Sequence, residues 1–430
     1  MSPSGVRRWA LHLDVKRCFT NHGRMRITDV ATVLLTGPSS NDPYITFAKK
    51  WRTAAFVEVR TDVGLVGVGE TYLGYFFPEV VPHVVDYVRP ILVDGGTTDP
   101  AVLSTRMRRC LGFWCRVGAG AAVLSGVEAA LWDLAGQAAG VPVHELLGGR
   151  KHDRLRAYAT GGPSPWPPDE LKRKLDRYAE LGFTALKVAT GYLEMSGRRE
   201  ILPAPGPQAA AEFEAEKLAL MRGHLGPDFG IMLDGHMGHR TGVHRWDLDT
   251  ARAVMAAAAP YRPAFFEEPL AYEDPDEYAE LTSQSPVPIA GGEQLFSYDE
   301  FRLWMNRGAF AIAQPDAALL SMTEFVQVGE LAAAQGRHVV SHAWSAGGGF
   351  LQNVHAAFAS PSTLMVEMAP DPGELHTAVW GDTLVIEDGY VLPPTAPGLG
   401  VTLTDELKER FPFRPGMEEF ASVPGKELRS

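Results

Sequence analysis

Three carboxylates close three short apolar runs. Phe229-Gly230-Ile231-Met232-Leu233 ends at Asp234, Ala264-Phe265-Phe266 at Glu267, and Val287-Pro288-Ile289-Ala290-Gly291-Gly292 at Glu293. The acids are 33 and 26 residues apart, room for one helix and two loops, which is the period of a strand–helix unit. Runs this short and apolar suit strands buried on both faces, so the acids are expected at the carboxyl ends of consecutive parallel strands. An oxygen-only, trianionic cluster suits a hard divalent cation, and Mg²⁺ best, because it takes a few carboxylates and keeps positions for water or substrate. Zinc would call for His or Cys. Taken singly, each acid is as well explained as a solvated rim residue or a helix N-cap. Three in phase favour the metal.

Other runs end on reactive side chains too. Ala185-Leu186-Lys187-Val188-Ala189 brings a lysine near the acids, and the run before Asp234 continues to Gly235 and His236. Later ends are Ala313-Gln314-Pro315-Asp316, Val340-Ser341-His342 and Met365-Val366-Glu367. Asp316 and His342, from neighbouring strands, can form a hydrogen-bonded dyad in which the acid fixes the imidazole tautomer and raises its basicity. A lone core His or rim Asp is usually structural; the set on one face is not.

Positioning these groups requires eight strands: Leu155–Ala159, Thr184–Val188, Gly230–Leu233, Ala264–Phe266, Val287–Gly291, Phe310–Ala313, His338–Ser341 and Thr363–Val366. Helices fall between them, two opened by the capping boxes Ser297–Glu300 and Ser321–Glu324. The pattern predicts a (β/α)₈ barrel over residues 151–370, with its chemistry at the carboxyl ends of the strands. The proline-containing stretch Tyr192–Gln208 is an insertion expected over the same face.

Residues 25–150 read differently, as an α+β capping domain. Val30–Leu35, Ala55–Val59 and Val66–Glu70 are antiparallel strands, the last two joined through Thr61-Asp62-Val63-Gly64; helices follow at Pro78–Leu92, Ala101–Arg109 and Ala119–Ala139. Two loops read as exposed, Ser39–Lys50 and Tyr72–Phe77. The second is so aromatic that it either covers a pocket or packs in the core. Residues 371–430 are expected to return to the capping domain, through strands Thr383–Glu387 and Tyr390–Leu392 about the turn Asp388-Gly389. Residues 1–24 read as a disordered extension or as sequence upstream of the true start; Arg7-Arg8 suggests a twin-arginine signal, but Asp14, Lys16 and Arg17 interrupt the apolar stretch it would need.

Composition narrows the partners. The 430 residues are 45% hydrophobic, ordinary for a soluble globular protein, and no apolar run approaches membrane-spanning length. A net charge of −12 without a basic stripe argues against nucleic acid and anionic membranes, so any anionic substrate needs a local cation. The cysteines Cys18, Cys110 and Cys115 are odd in number and lack metal-ligand pairing, which favours a reducing cytoplasm.

The mixed domain before a barrel, the three acids on strands three to five, Pro315-Asp316, Ser341-His342 and Glu367 together resemble the enolase superfamily, in the branch of mandelate racemase and the acid-sugar dehydratases. The likeness covers about residues 25 to 400. It implies Asp234, Glu267 and Glu293 as Mg²⁺ ligands, Glu268 behind them, Asp316–His342 as general base, and a homo-oligomer. A proton α to a carboxylate leaves a dianionic enediolate, which a divalent cation and Lys187 would stabilise, with Glu367 donating a hydrogen bond if its pKa is raised.

Departures from the family narrow the reaction. Racemases and lactonising members resemble one another in a Lys-x-Lys on the second strand; here Ala189 takes the second place. His236 stands where some sugar-acid dehydratases of the family carry an acid, and would serve as acid, second base or partner of a ligand. His239 completes a His-x-x-His, which alone does not make a zinc hydrolase. The expected activity is dehydration of an aldonic or aldaric acid to a 2-keto-3-deoxy acid. Tyr158-Ala159-Thr160-Gly161 and Pro397–Val401 are similar to rhamnonate-type dehydratases. Racemisation or epimerisation of a hydroxy acid or amino-acid derivative, and a silent metal-binding homologue, stay open beside it.

Overall fold

The structure, a computed structural model, describes residues 25–45, 51–197 and 199–416. The expected extension of residues 1–24, Cys18 and the end of the Ser39–Lys50 loop lie outside the described residues.

The first layer is a three-stranded antiparallel sheet, β1 (Ile27–Pro38), β2 (Trp51–Thr61) and β3 (Val66–Thr71), in that order. Helices α1 (Val81–Val93), α2 (Pro100–Leu111) and α3 (Gly118–Ala139) follow. The central helix α3 is buried from Ala121 to Gly136 and lies directly on β3. Glycine makes that approach possible: a Cβ at Gly69 would stand 2.2 Å from the carbonyl oxygen of Gly126, and one at Gly67 2.1 Å from that of Ala130. The aromatic Tyr72–Phe77 segment is no exposed loop. Tyr72–Tyr75 form a buried 3₁₀ turn that both joins the capping core and faces a cavity.

The second layer is the barrel. Its strands are β4 (Leu155–Thr160), β5 (Ala185–Ala189), β6 (Gly230–Asp234), β7 (Phe266–Glu267), β8 (Ile289–Gly291), β9 (Ile312–Ala313), β10 (His338–Ser341) and β11 (Thr363–Met368). Each pairs in parallel with the next, and β11 pairs with β4, Val366 opposite Ala157, to close the ring. Tyr158, Ala185, Met232, Phe265, Ala290, Ile312, Val340 and Met365, one from the neighbourhood of each strand, fill the interior as a separate apolar cluster. Helices between the strands, including α4 (Pro168–Glu180) and α5 (Gly347–Ala359), complete the outer ring.

Two segments sit outside the strand–helix alternation. The insertion forms a small sheet in which Tyr192–Glu194 pairs with Arg199–Ile201 on one side and Pro165–Trp166 on the other. The hairpin Ile386–Glu387/Tyr390–Val391 corrects the expectation that these strands return to the capping domain. It pairs with the barrel itself, Tyr390 and Val391 lying antiparallel to Arg156 and Leu155 at the start of β4. The chain reaches the capping layer further on, where Gly398 exchanges backbone hydrogen bonds with Val141 and Val143, and Thr36 donates to Phe411.

Candidate active site

Lys187, at the middle of β5, is 4% exposed and surrounded by carboxylates. Its Nζ lies 2.9 Å from Asp234, 2.6 Å from Glu267 and 3.1 Å from Glu367, at the ends of β6, β7 and β11. Burial works against its charge, but these three acids outweigh it and push the ammonium well above its ordinary range. Gln314, after β9, donates to the same Glu267 oxygen at 2.6 Å. Glu293 stands apart from this knot. It follows Gly292, whose positive φ of 126° turns the chain at the end of β8, and lies 3.6 Å from Nε2 of His342.

The acids thus divide between two cationic neighbours, and no three His, Cys, Asp or Glu side chains among the described residues form a ready cage. Their donor chemistry nonetheless fits a hard divalent ion. Asp234 Oδ1 and Glu267 Oε1 are buried with no hydrogen-bond partner among the described residues; His236 Nδ1 is 3.2 Å from the former without forming a hydrogen bond. Burial, then the negative charge of Glu268, Glu267 and Asp234, drives the Glu293 carboxyl well upward despite His342. A cluster of buried oxygens short of positive charge is what Mg²⁺ satisfies. Glu268 lies behind the ligands in a left-handed backbone, φ 43°, and accepts from Gln294 at 3.2 Å.

The dyad expected between β9 and β10 is formed. His342 Nδ1 donates to Asp316 Oδ2 at 2.8 Å, while Asn353 Nδ2 from α5 and the Ala318 N–H hold the other Asp316 oxygen, each at 2.8 Å. With both acid oxygens engaged the imidazole is fixed, and Nε2 is left for the cavity. Burial lowers the imidazole, but Asp316, Glu293 and Glu367 prevail and raise it to about 10. The Tyr72 ring packs edge-on against His342, centroids 5.6 Å apart.

Glu367 departs from expectation. A raised carboxyl would have donated a hydrogen bond; instead Lys187 and His342, with the Ala343 N–H at 2.7 Å, overcome its burial and hold it at about 2. It accepts and pairs rather than donates. His236 takes a left-handed backbone, φ 47°, and its side chain is 37% exposed on the cavity wall. Burial and then the Lys187 charge lower its imidazole.

These groups face a cavity of about 400 Å³, within the range of small-molecule sites. Lys187, Asp234, Glu293, His342 and Glu367 line its floor; Tyr72, Tyr75 and Trp344 line one wall, and Tyr192, Leu193 and Glu200 of the insertion another. Ala189 lines it as well and carries no base. A larger hollow of about 600 Å³ lies between β2–β3 and the C-terminal segment. Its Glu58, Arg60 and Lys408 pair with one another at 2.6–2.7 Å, so it offers no comparable chemistry.

Several residues of the site carry no signal in the sequence. Arg52 of β2 donates to the carbonyl oxygens of Trp344 and Ser345, at 2.8 and 3.1 Å, with its guanidinium against the Tyr75 and Trp344 rings. Glu70 of β3 accepts from the N–H groups of Ala346 and Gly349, at 2.8 and 2.7 Å, capping α5 just past His342. Burial pushes the Glu70 carboxyl up to about 7 against those N–H groups and Arg52. Gln314 stood within the strand end Ala313-Gln314-Pro315-Asp316 but without a role; nothing marked Asn353, inside a helix.

Comparison with known proteins agrees with this architecture. Residues 32–148 match the mandelate racemase/muconate lactonizing enzyme N-terminal domain, and residues 170–407 the enolase C-terminal domain-like family. Arabinonate dehydratase of Saccharolobus solfataricus is 29% identical over 82% of this chain and 89% of its own. D-galactarolactone cycloisomerase of Agrobacterium fabrum is 27% identical over 90% of this chain and 99% of its own. The crystal structure of a racemase from Streptomyces coelicolor A3(2) with bound magnesium superposes with a TM-score of 0.73 at 26% identity, covering 90% of this chain and 99% of that one. The first two relatives are named for the dehydration of a sugar acid and the cycloisomerisation of a sugar-acid lactone. With both domain models matched and the barrel closed beneath an antiparallel capping sheet, the chain belongs to the mandelate racemase/muconate lactonizing enzyme family of the enolase superfamily.

Proposed function

We propose that the protein is a Mg²⁺-dependent sugar-acid dehydratase, which converts an aldonate or aldarate to its 2-keto-3-deoxy acid. The observation that carries this reading is the His342–Asp316 dyad, 2.8 Å long, with Nε2 facing the cavity across from Lys187 and the acid cluster. Mg²⁺ held by Asp234, Glu267 and Glu293 would supply positive charge against the substrate carboxylate and the enediolate derived from it.

The chain's own groups do the rest. His342, in the neutral form that positive charge at the neighbouring Glu293 would favour, takes the C2 proton through Nε2, and Asp316 stabilises the imidazolium that results. The electron pair of the broken C–H bond delocalises into the carboxylate, where Lys187 faces the growing charge. The C3–oxygen bond then breaks, and the leaving hydroxide takes the proton that His342 has just accepted and departs as water; His236, also on the cavity wall, is the poorer donor because its imidazole is lowered. The enol so formed gains a proton at C3 as it becomes the ketone. Glu367, held ionised, keeps Lys187 in place between β5 and β11.

Ala189 favours this over racemisation, which needs a base on each face of C2. Ring opening of a sugar lactone, the reaction class of the cycloisomerase relative, would begin with the same proton abstraction. A screen of the full-length protein with Mg²⁺ against aldonic and aldaric acids, read as the semicarbazone of a 2-keto acid, tests the proposal. Product should form with one stereochemical series, vanish with EDTA, and fall at least about 10³-fold in His342→Asn. Undiminished product in that variant would overturn it.

A further inference from the structure

The cavity has a second charged station. Arg240 follows the short turn Met237–His239 beyond His236 and lines the cavity wall with its side chain 15% exposed. Its Nη1 pairs with Glu200, on the Arg199–Ile201 strand of the insertion, whose side chain is 58% exposed. Its Nε is buried and has no hydrogen-bond partner among the described residues. The Nε atoms of Arg177 and Arg252 are unmet in the same way, but Arg240 differs from them in lining the cavity, where a ligand can supply the partner.

The chemistry of the missing partner follows from the guanidinium. Nε and the adjacent Nη form the edge that takes a carboxylate through two parallel hydrogen bonds. A neutral hydroxymethyl end would offer one weak acceptor in the same place. Lys187 and His342 on the cavity floor are already paired with acids, and, Arg240 aside, the other charged side chains that line it, Glu200, Asp234, Glu293 and Glu367, are negative, so a second substrate carboxylate would be repelled unless a further cation met it. Arg240 is placed for that.

We propose that Arg240 binds the distal carboxylate of a dicarboxylic sugar acid, exchanging Glu200 for the substrate while the first carboxylate lies at the acid cluster. This rests on the sugar-acid reading above and selects the aldarates within it. Glu200 acts as the resting counter-ion, and the insertion hairpin that carries it covers the distal end of the substrate.

The test compares pairs that differ only in the terminal group, galactarate against galactonate and glucarate against gluconate, using the full-length protein with Mg²⁺. For the accepted stereochemistry the aldarate should be preferred about 100-fold in kcat/KM, the worth of a bidentate charged pair, and Arg240→Gln should bring that preference near parity. Preference for the aldonate, or an equal proportional loss for both members in Arg240→Gln, would overturn the assignment. Glu200→Gln, on the exposed hairpin and safe for folding, should lower KM for the aldarate several-fold; an unchanged or raised KM contradicts the exchange. If no member of either pair is dehydrated, the dehydratase reading fails, and titration calorimetry with Mg²⁺ still decides on Arg240. Galactarate or glucarate binding that Arg240→Gln weakens at least about tenfold sustains the inference, and binding that is absent or unaltered sinks it.

Discussion

Lys187 and His342 illustrate how side chains of one charge sign are kept apart in a single acidic cavity. Lys187 is locked among Asp234, Glu267 and Glu367, so its ammonium is a fixed charge rather than a base. His342 is held through Nδ1 by Asp316 and keeps one nitrogen for chemistry. That difference in restraint separates electrostatic stabilisation from proton transfer. Asn353 extends it: one amide donates to Asp316 and, through Oδ1, accepts the Ala317 N–H at 2.8 Å, so it orients the acid that orients the base. Asn353→Ala is therefore predicted to lower kcat about 10- to 100-fold with little change in KM, as for partners one step removed from a reacting group. A loss confined to KM, or none, would show that Asp316 is held well enough by Ala318 alone.

At the scale of elements, each barrel strand brings its terminal side chain to one end, and the loops beyond depend on groups less obvious than those ends. Lys174 of α4 is fully buried and donates to the carbonyl oxygens of Gly161 and Pro163, anchoring the loop after β4 that borders the cavity. Burial lowers its ammonium to about 7, below its unfolded value near 10.4. A depressed folded pKa means that Lys174 contributes most above the unfolded value, and that the contribution declines as pH falls towards 7. The stability advantage of wild type over Lys174→Met, measured by chemical denaturation, should therefore widen from pH 7 to pH 10 and stay flat below 7. An advantage that shrinks over that range would mean the folded protein holds the lysine charged throughout. The strands were legible because β6, β7 and β8 are short apolar runs with an acid at one end, a pattern set by local sequence. His338–Ser341 has the bounds its β-branched run predicts, whereas Ala264–Phe266 slides to Phe266–Glu267, since pairing with β6 and β8 decides where the ladder begins. The Asp388-Gly389 turn announced a hairpin, but a turn does not specify which edge its strands will join. Asn353, Arg52 and Glu70 escaped for the same reason, that their partners lie far away in sequence, and the roles of Arg52 and Glu70 exist only once the capping sheet rests on the barrel.

The whole molecule works as a lid with its own contacts to the base. Arg52 and Glu70, on β2 and β3, grip the segment between His342 and α5, while the Tyr72 turn donates its backbone to Ala318 and lays its ring on the imidazole. Folding of the capping sheet and placement of the base are thereby linked, and the acid cluster adds a third component. Its partnerless oxygens on Asp234 and Glu267 mean that a cation bound there stabilises the folded state over the unfolded. Mg²⁺ at about 100 times its Kd should add about 2.7 kcal/mol, a rise in Tm of about 3 °C for a chain of this size, and Glu267→Gln should abolish the rise. A Tm indifferent to Mg²⁺ in the wild type would place the ion elsewhere. The most direct test of the account as a whole is dehydration of the accepted sugar acid in D₂O, followed by NMR. Abstraction at C2 by His342 and protonation of the enol predict one deuterium at C3 of the 2-keto-3-deoxy product, none at C2 of recovered substrate, and neither product nor exchange in His342→Asn. Product lacking deuterium, or exchange at C2 without loss of water, would contradict it.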